Sequence, residues 1–145
     1  MIRFLSFLLF LLCCHSPMGM AQGKKDMKDY WIDKYLSVSF PLESIRINST
    51  FGSRVDPFTG KHKQHKGLDL RARYEEVLSM FDGYVKGVGY DSGSGKYITM
   101  QYGDYTVSYC HLSEIWVSDN QKVYAGDPIG ISGTTGRSTG PHLHI

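Results

Sequence analysis

The chain has 145 residues, which is the size of one domain rather than two. Hydrophobic residues make up 41% and charged residues 21%, as is ordinary for a soluble globular protein. The formal net charge of +2 is too small to indicate nucleic acid as the main partner.

The first 21 residues have the pattern of a secretory signal peptide. Arg3 supplies a positive charge, and an apolar run follows from Phe4 to Leu12. Gly19 and Ala21 are small residues at the −3 and −1 positions of a cut after Ala21. The apolar run is well short of the roughly 20 residues that a membrane span needs. We therefore predict that residues 1–21 direct export, to the periplasm or the cell exterior, and that no membrane span remains after their removal.

Residues 22–44 are predicted as an N-terminal lead-in segment. Its first part, Gln22 to Lys28, is polar and is typical of a flexible stretch. Asp29 to Leu36 is compatible with a short helix. Pro41 ends that helix, because proline pushes the residue before it toward extended geometry.

From Ile45 onward, short alternating runs separated by glycines and Asp/Ser turns predict β-strands. Lys96–Tyr102 and Tyr105–His111 flank Gly103-Asp104, and a glycine in first place favours a type II′ hairpin. Simple alternation puts Tyr109 and His111 on one face of the second strand. The remaining expectations are strands within Val77–Val88, broken at Asp82-Gly83, a loop at Gly89–Gly95, a strand within Val123–Ile131 with a turn at Ala125–Pro128, and a loop at Ser132–Pro141 before a terminal strand.

Four side chains form two candidate ligand pairs. His142 and His144 are two apart, so in a strand they face one space with their Cα atoms ~6.5–7 Å apart. His65 and Asp69 are four apart, which predicts that they share one face of a strand or a helix. Imidazole and carboxylate together suit zinc, and three protein ligands leave the fourth tetrahedral position open for water.

The residue types alone do not assign the ligands. His65, Asp69 and one of His142 or His144 suffice for a metal. His111 and the remaining histidine can then serve as general base and as a donor to the transition state. The alternative reading is that the strand histidines only stabilise the core.

Seven motifs in this order resemble the lysostaphin/LytM-type zinc metallopeptidases, peptidase family M23. They are Asn48–Arg54, Asp56–Gly60, His65–Leu70, Asp82–Val85, Tyr109–Leu112, Ala125–Gly130 and Ser132–His144. The resemblance covers residues 45–145, which we predict to be the peptidase domain.

The resemblance implies a mainly β fold with an antiparallel sheet core and a substrate groove, as in duplicated-hybrid-motif proteins. It implies that His65, Asp69 and His144 bind one Zn²⁺ per chain, and that His111 and His142 act in catalysis. His142 is the preferred general base, while His111 holds the water or stabilises the oxyanion. The implied substrate is a peptide cross-link of bacterial peptidoglycan, attacked by a zinc-activated water at the cell wall.

Asn48 and Arg54 match the opening motif of the family. We interpret both as groove residues or as partners that orient a metal ligand. Relatives continue beyond the position of His144, so the domain is expected to be C-terminally incomplete.

One stretch departs from the family pattern. Relatives carry smaller residues and often a glycine at the positions that here hold Arg71, Arg73, Tyr74 and Glu75-Glu76. This departure predicts an altered groove wall and an altered substrate preference.

A second function stays open at this point. Some relatives are non-catalytic peptidoglycan-binding modules or regulate a partner hydrolase, and the partner here would be unknown. Such relatives usually lack part of the His/Asp set. This chain keeps all five positions, which favours the enzyme.

Overall fold

The computed structural model describes residues 26–29, 32 and 37–145. The described part of the chain contains twelve strands. They are β1 (Ile47–Ser49), β2 (Gly52–Val55), β3 (His62–His65), β4 (Asp69–Arg71), β5 (Glu76–Leu78), β6 (Gly83–Asp91), β7 (Gly95–Tyr102), β8 (Tyr105–Leu112), β9 (Glu114–Ile115), β10 (Lys122–Val123), β11 (Pro128–Ile131) and β12 (His142–His144).

Seven of these strands form one antiparallel sheet in the order β1-β4-β12-β8-β7-β6-β10. A three-stranded sheet has the order β5-β11-β9, and β2 pairs with β3 as a separate hairpin. The predicted antiparallel β fold is therefore confirmed. The terminal strand β12 lies between β4 and β8, so residues distant in sequence meet in the middle of the sheet.

Side chains along β4 and β12 point alternately to the hydrophobic core and to the opposite face of the sheet. Leu70 and Leu143 are 1% and 0% exposed and lie in the hydrophobic core. Burial of a leucine side chain stabilises a fold by about 1.5–3 kcal/mol. Their neighbours Asp69, His142 and His144 point to the opposite face of the sheet, because side chains alternate along a strand.

A buried tyrosine cluster fixes β8 against β7. Tyr109 is fully buried, and its hydroxyl lies 2.8 Å from that of Tyr102. The same oxygen accepts a hydrogen bond from the backbone amide of Met80. Burial raises the pKa of Tyr109, with Tyr102 adding to the effect, so this hydroxyl stays neutral.

The β7–β8 hairpin follows the sequence prediction. Gly103 has φ 58°, whereas Asp104 is not among the residues with positive φ. A positive φ at only the first of the two turn residues is the type II′ pattern. The turn before β11 agrees as well, since Gly126 has φ 87°.

The predicted loop at Gly89–Gly95 is wrong over most of its length. Strand β6 continues to Asp91, and Tyr90 pairs with Lys96 across the hairpin. The carboxylate of Asp91 accepts hydrogen bonds from the amides of Gly93 and Ser94, both at 2.7 Å. These bonds confine the turn to residues 92–94, and the glycines of β6 are accommodated within the strand.

The lead-in joins the fold at its end. Pro41 accepts a backbone hydrogen bond from Leu78, and Leu42 is 1% exposed in the core. Met27–Asp29 and Ile32 are helical, while the rest of the predicted helix and the predicted signal peptide lie outside the described residues. In the described part of the chain, no helix has the length and apolar character needed to cross a membrane.

Candidate metal centre

Three strands each place one potential metal-ligating atom near a common point. His65 ends β3, Asp69 begins β4, and His144 ends β12 directly opposite Asp69. His65 Nε2 lies 3.1 Å from both Asp69 Oδ1 and His144 Nδ1. His144 Nδ1 is 2.8 Å from Asp69 Oδ1. The three atoms thus form a small triangle that faces a groove.

The way in which His65 and Asp69 meet differs from the sequence prediction. They do not share one face of a strand or helix, because β3 and β4 belong to different sheets. Lys66–Leu68 joins the two strands, and the chain turns there so that the side chains converge. A separation of four residues cannot reveal such a turn, since periodicity predicts faces only within a regular element.

The donor set fits a divalent cation such as zinc. His65 Nδ1 donates a hydrogen bond to the Thr50 carbonyl at 2.8 Å, which leaves an unprotonated Nε2 for the metal. Neighbouring donors around a tetrahedral zinc stand about 3.3 Å apart, close to the distances seen here. Without a cation or a proton between them, these lone pairs and the carboxylate repel one another.

Asp69 is prepared as an ionised ligand. Burial by itself raises the pKa of Asp69, but the hydrogen bond from His144 and the electrostatic effect of the nearby histidines outweigh burial and lower this pKa to about 2. Arg54 Nη2 lies 3.1 Å from Asp69 Oδ2. The arginine therefore holds one carboxylate oxygen and leaves Oδ1 free to face the histidines.

The two remaining histidines lie beside the triangle and share one hydrogen-bond pattern. His142 Nδ1 donates to the Gly140 carbonyl, and His111 Nδ1 donates to the Thr135 carbonyl, both at 2.8 Å. Their ring centroids are 4.6 Å apart. His142 Nε2 is 3.5 Å from Asp69 Oδ1. Each ring thus keeps Nε2 available for chemistry.

Burial lowers the pKa of His111, and the nearby His142 and His144 act in the same direction. The hydrogen bond to the Thr135 carbonyl opposes this shift without cancelling it. The imidazole is therefore neutral near neutral pH, and its Nε2 accepts rather than donates a hydrogen bond.

The expectation that Tyr109 and His111 share a face is wrong. Tyr109 pairs with Ile98 and Leu112 pairs with Lys96, so β8 has one residue more than β7 between these pairs. His111 has φ 63° at this bulge. A bulge re-aims the side chains that follow it, and such bulges are frequent beside active sites. Tyr109 therefore enters the core while His111 faces the groove.

The predicted groove is a cavity of about 670 Å³. The β2–β3 hairpin forms one wall, with Arg54 and Phe58, and the loop at residues 137–141 forms the other. The exposed Asn48 also lines it. Both Asn48 and Arg54 therefore line the cavity, and Arg54 also contacts a candidate ligand.

A cationic contact joins the two walls. Arg137 Nη2 lies 2.9 and 3.0 Å from the carboxylate oxygens of Asp56. The guanidinium carbon is 4.4 Å from the centre of the Phe58 ring. Burial raises the pKa of Asp56, but the amides of Phe58 and Thr59 together with Arg137 lower this pKa to about 2. The contact is thus an ion pair combined with a cation–π interaction.

Sequence reasoning missed the importance of Gly67. A Cβ atom at this position would lie 2.5 Å from both His144 Nε2 and the Ile145 carbonyl oxygen. Leu68 and Ile145 also exchange two backbone hydrogen bonds, of 2.7 and 3.0 Å. The chain after His65 therefore packs directly on the terminal strand. The signal available in the sequence was a glycine placed between two candidate ligands.

Replacing Gly67 with alanine is expected to displace His144 and weaken zinc binding by at least about tenfold, comparable to the loss of a partner that orients a ligand. Competition with a chromogenic chelator measures the affinity. The matched control is Gly87→Ala, because a Cβ atom there meets nothing within 4 Å. Equal zinc affinities of the two variants would contradict a role of Gly67 in seating His144.

Comparison with known proteins gives a consistent result. The sequence matches the profile of peptidase family M23 over residues 63–145. It is 40% identical over 109 residues to the peptidoglycan DD-endopeptidase ShyA of Vibrio cholerae, a match that covers 72% of this chain and 25% of that protein. The chain spans less than a third of the length of the curated relatives it matches.

Solved structures agree with the sequence match. A zinc-containing peptidase from Vibrio cholerae superposes with a TM-score of 0.67 at 35% identity, over 72% of this chain and 34% of that chain. The catalytic domain of lysostaphin from Staphylococcus simulans superposes with a TM-score of 0.64 at 31% identity, over 69% and 77% of the two chains. The same β architecture therefore recurs in peptidases.

Proposed function

This chain belongs to peptidase family M23, and on that basis we propose that it is a zinc-dependent endopeptidase that hydrolyses peptide cross-links of bacterial peptidoglycan. The observation that carries the proposal is the convergence of His65, Asp69 and His144 within about 3 Å of one another beside two further histidines. Relatives named as peptidoglycan endopeptidases support the substrate class.

In this proposal, His65, Asp69 and His144 hold one zinc ion. When bound, zinc acidifies a water molecule and polarises the scissile carbonyl. Thr50 and Arg54 orient the first two ligands through the 2.8 and 3.1 Å contacts described above. Such partners fix the ring tautomer and the carboxylate rotamer that a metal requires.

His142 is the proposed general base. Its Nδ1 proton is committed to the Gly140 carbonyl, so Nε2 carries the lone pair. That nitrogen can take a proton from the attacking water and return it to the leaving amine. Asp69 Oδ1 lies 3.5 Å from the same nitrogen.

His111 is proposed to hold the attacking water. Its Nδ1 proton is committed to the Thr135 carbonyl and its burial favours the neutral ring, so Nε2 is an acceptor. An acceptor can orient a water molecule, whereas stabilising an oxyanion requires a donor. The geometry thus favours the first of the two roles that the family resemblance leaves open.

The location of the reaction follows from the substrate. We propose that residues 1–21 direct export, that residues 22–44 lead into the domain, and that residues 45–145 form a peptidase domain acting at the cell wall. A relative named as a peptidoglycan endopeptidase supports the location at the cell wall.

The proposed function is tested by digesting purified peptidoglycan with the purified chain and identifying the released muropeptides by mass spectrometry. Cross-linked dimers are expected to become monomers, a chelator is expected to stop the reaction, and added zinc is expected to restore it. Binding of muropeptides without cleavage, in the presence of zinc, would instead support the non-catalytic module.

A further inference from the structure

The groove face of strand β4 continues beyond the candidate metal ligand. Arg71 lies two residues after Asp69 and therefore on the same face of the strand. Register places Arg71 opposite His142, just as Asp69 stands opposite His144. On this face, the Asp69–His144 pair of candidate metal ligands is next to the Arg71–His142 pair. The second pair thus places an arginine beside the proposed general base.

A second cavity adjoins the groove at this arginine. It has a volume of about 340 Å³ and is lined by Asn48, Arg71, Ala72, Arg73 and Pro141. Asn48 and Pro141 also line the main groove, so the two cavities are neighbours. The arginine-lined space is therefore next to the groove that contains the metal centre.

The two arginines are available to a ligand. Ala72 between them is fully buried, whereas Arg71 and Arg73 are both exposed. No ion pair between described side chains involves either of them. Arg54 and Arg137 differ in this respect, because each is paired with an aspartate.

The stretch that carries the arginines has a defined conformation. Tyr74 has φ 56° and turns the chain directly after Arg73. The amide of Arg73 donates a hydrogen bond to Glu75 Oε1 at 3.2 Å. The Glu75 carboxylate is thus engaged by the backbone, and no acidic side chain lines the second cavity.

The charges that line the groove also favour an anionic group on the ligand. Its only carboxylates among the described lining residues, Asp56 and Asp69, are each held by an arginine. Lys63 and Lys66 add positive charge along the wall. Guanidinium groups bind carboxylates through directional, charge-assisted hydrogen bonds.

We propose that Arg71 and Arg73 form a subsite that binds a carboxylate of the peptide substrate. The proposal rests on the proposed peptidase function and adds a charge that the substrate must carry. Arg71 stands two strand residues from Asp69, or roughly 7 Å along the sheet. An extended peptide advances ~3.3 Å per residue, so the recognised carboxylate lies within about two residues of the scissile bond.

The test uses two cross-linked peptides that differ in a single group, a carboxylate or a carboxamide, within two residues of the scissile bond. The full chain is expected to prefer the carboxylate peptide by about tenfold in kcat/KM, as a hydrogen bond to a charged group provides. Arg71→Gln and Arg73→Gln are each expected to reduce that ratio toward one. The matched control is Lys86→Gln, which removes an exposed cation on β6, away from both cavities, and keeps the ratio.

Calorimetric binding of both peptides to the metal-free chain separates the subsite from the proposed function. Hydrolysis of both peptides at equal rates, unchanged in Arg71→Gln, overturns the subsite and leaves the peptidase. Tighter binding of the carboxylate peptide that Arg71→Gln removes, without hydrolysis by the zinc-loaded chain, supports the subsite and overturns the peptidase. Equal binding of the two peptides together with absent hydrolysis overturns both.

Discussion

Replacing His144 with alanine is expected to abolish zinc binding and hydrolysis together. The substitution removes the nitrogen that lies 2.8 Å from Asp69 Oδ1 and 3.1 Å from His65 Nε2, so only two of three donors remain. Loss of a direct ligand is expected to weaken zinc binding by more than the ~100-fold that loss of an orienting partner can cost. Turnover should fall to background under the same conditions.

The fold is expected to survive the loss of His144. Leu143 holds β12 in the core, and Ile145 keeps its two backbone hydrogen bonds to Leu68. Circular dichroism checks the fold, and elemental analysis gives the ratio of zinc to protein. His62→Ala is the matched control, because His62 is exposed on β3 and does not line the groove. A His144→Ala protein that retains about one zinc per chain would remove His144 from the ligand set.

Replacing His142 with alanine is expected to leave zinc bound while kcat falls by about 10²- to 10⁴-fold, the usual contribution of a general base. The proton on His142 Nδ1 goes to the Gly140 carbonyl, and its Nε2 stays 3.5 Å from Asp69 Oδ1, outside the tight triangle of donors. KM should change little, since the proposed base acts mainly in the transition state.

The prediction for His142→Ala is tested by measuring zinc content and steady-state kinetics on the same preparation. His62→Ala again controls for the loss of a histidine that does not line the groove. Full turnover by His142→Ala would remove the residue from the mechanism. Loss of zinc from this variant would instead make His142 a fourth ligand and would require a different base.

Local pattern predicted those features of the fold that depend on neighbours in sequence. The alternation His142-Leu143-His144 gives a strand with one core residue between two groove residues, as found. The Gly103-Asp104 pair gives the hairpin, because a turn geometry depends on only a few dihedral angles. The family resemblance added the groove and the set of five polar residues.

Periodicity within a single strand could not predict the features that depend on how strands pair or on how the chain turns between them. The bulge that turns His111 toward the groove exists only relative to β7, so β8 read alone predicts the wrong face. The convergence of His65 with Asp69 depends on a turn at Gly67 that packs against the terminal strand. The position of Arg71 beside His142 follows from the register of β4 with β12, which no single strand encodes.

The contact of Arg137 with Asp56 and Phe58 has a consequence for how a ligand enters. Because the guanidinium contacts both a carboxylate and an aromatic face, it links the hairpin and the opposing loop into a frame around the groove. A frame of this kind requires little ordering of loops upon association, so less entropy opposes the complex. Selectivity then depends mainly on the shape and charge that the groove has before the ligand binds.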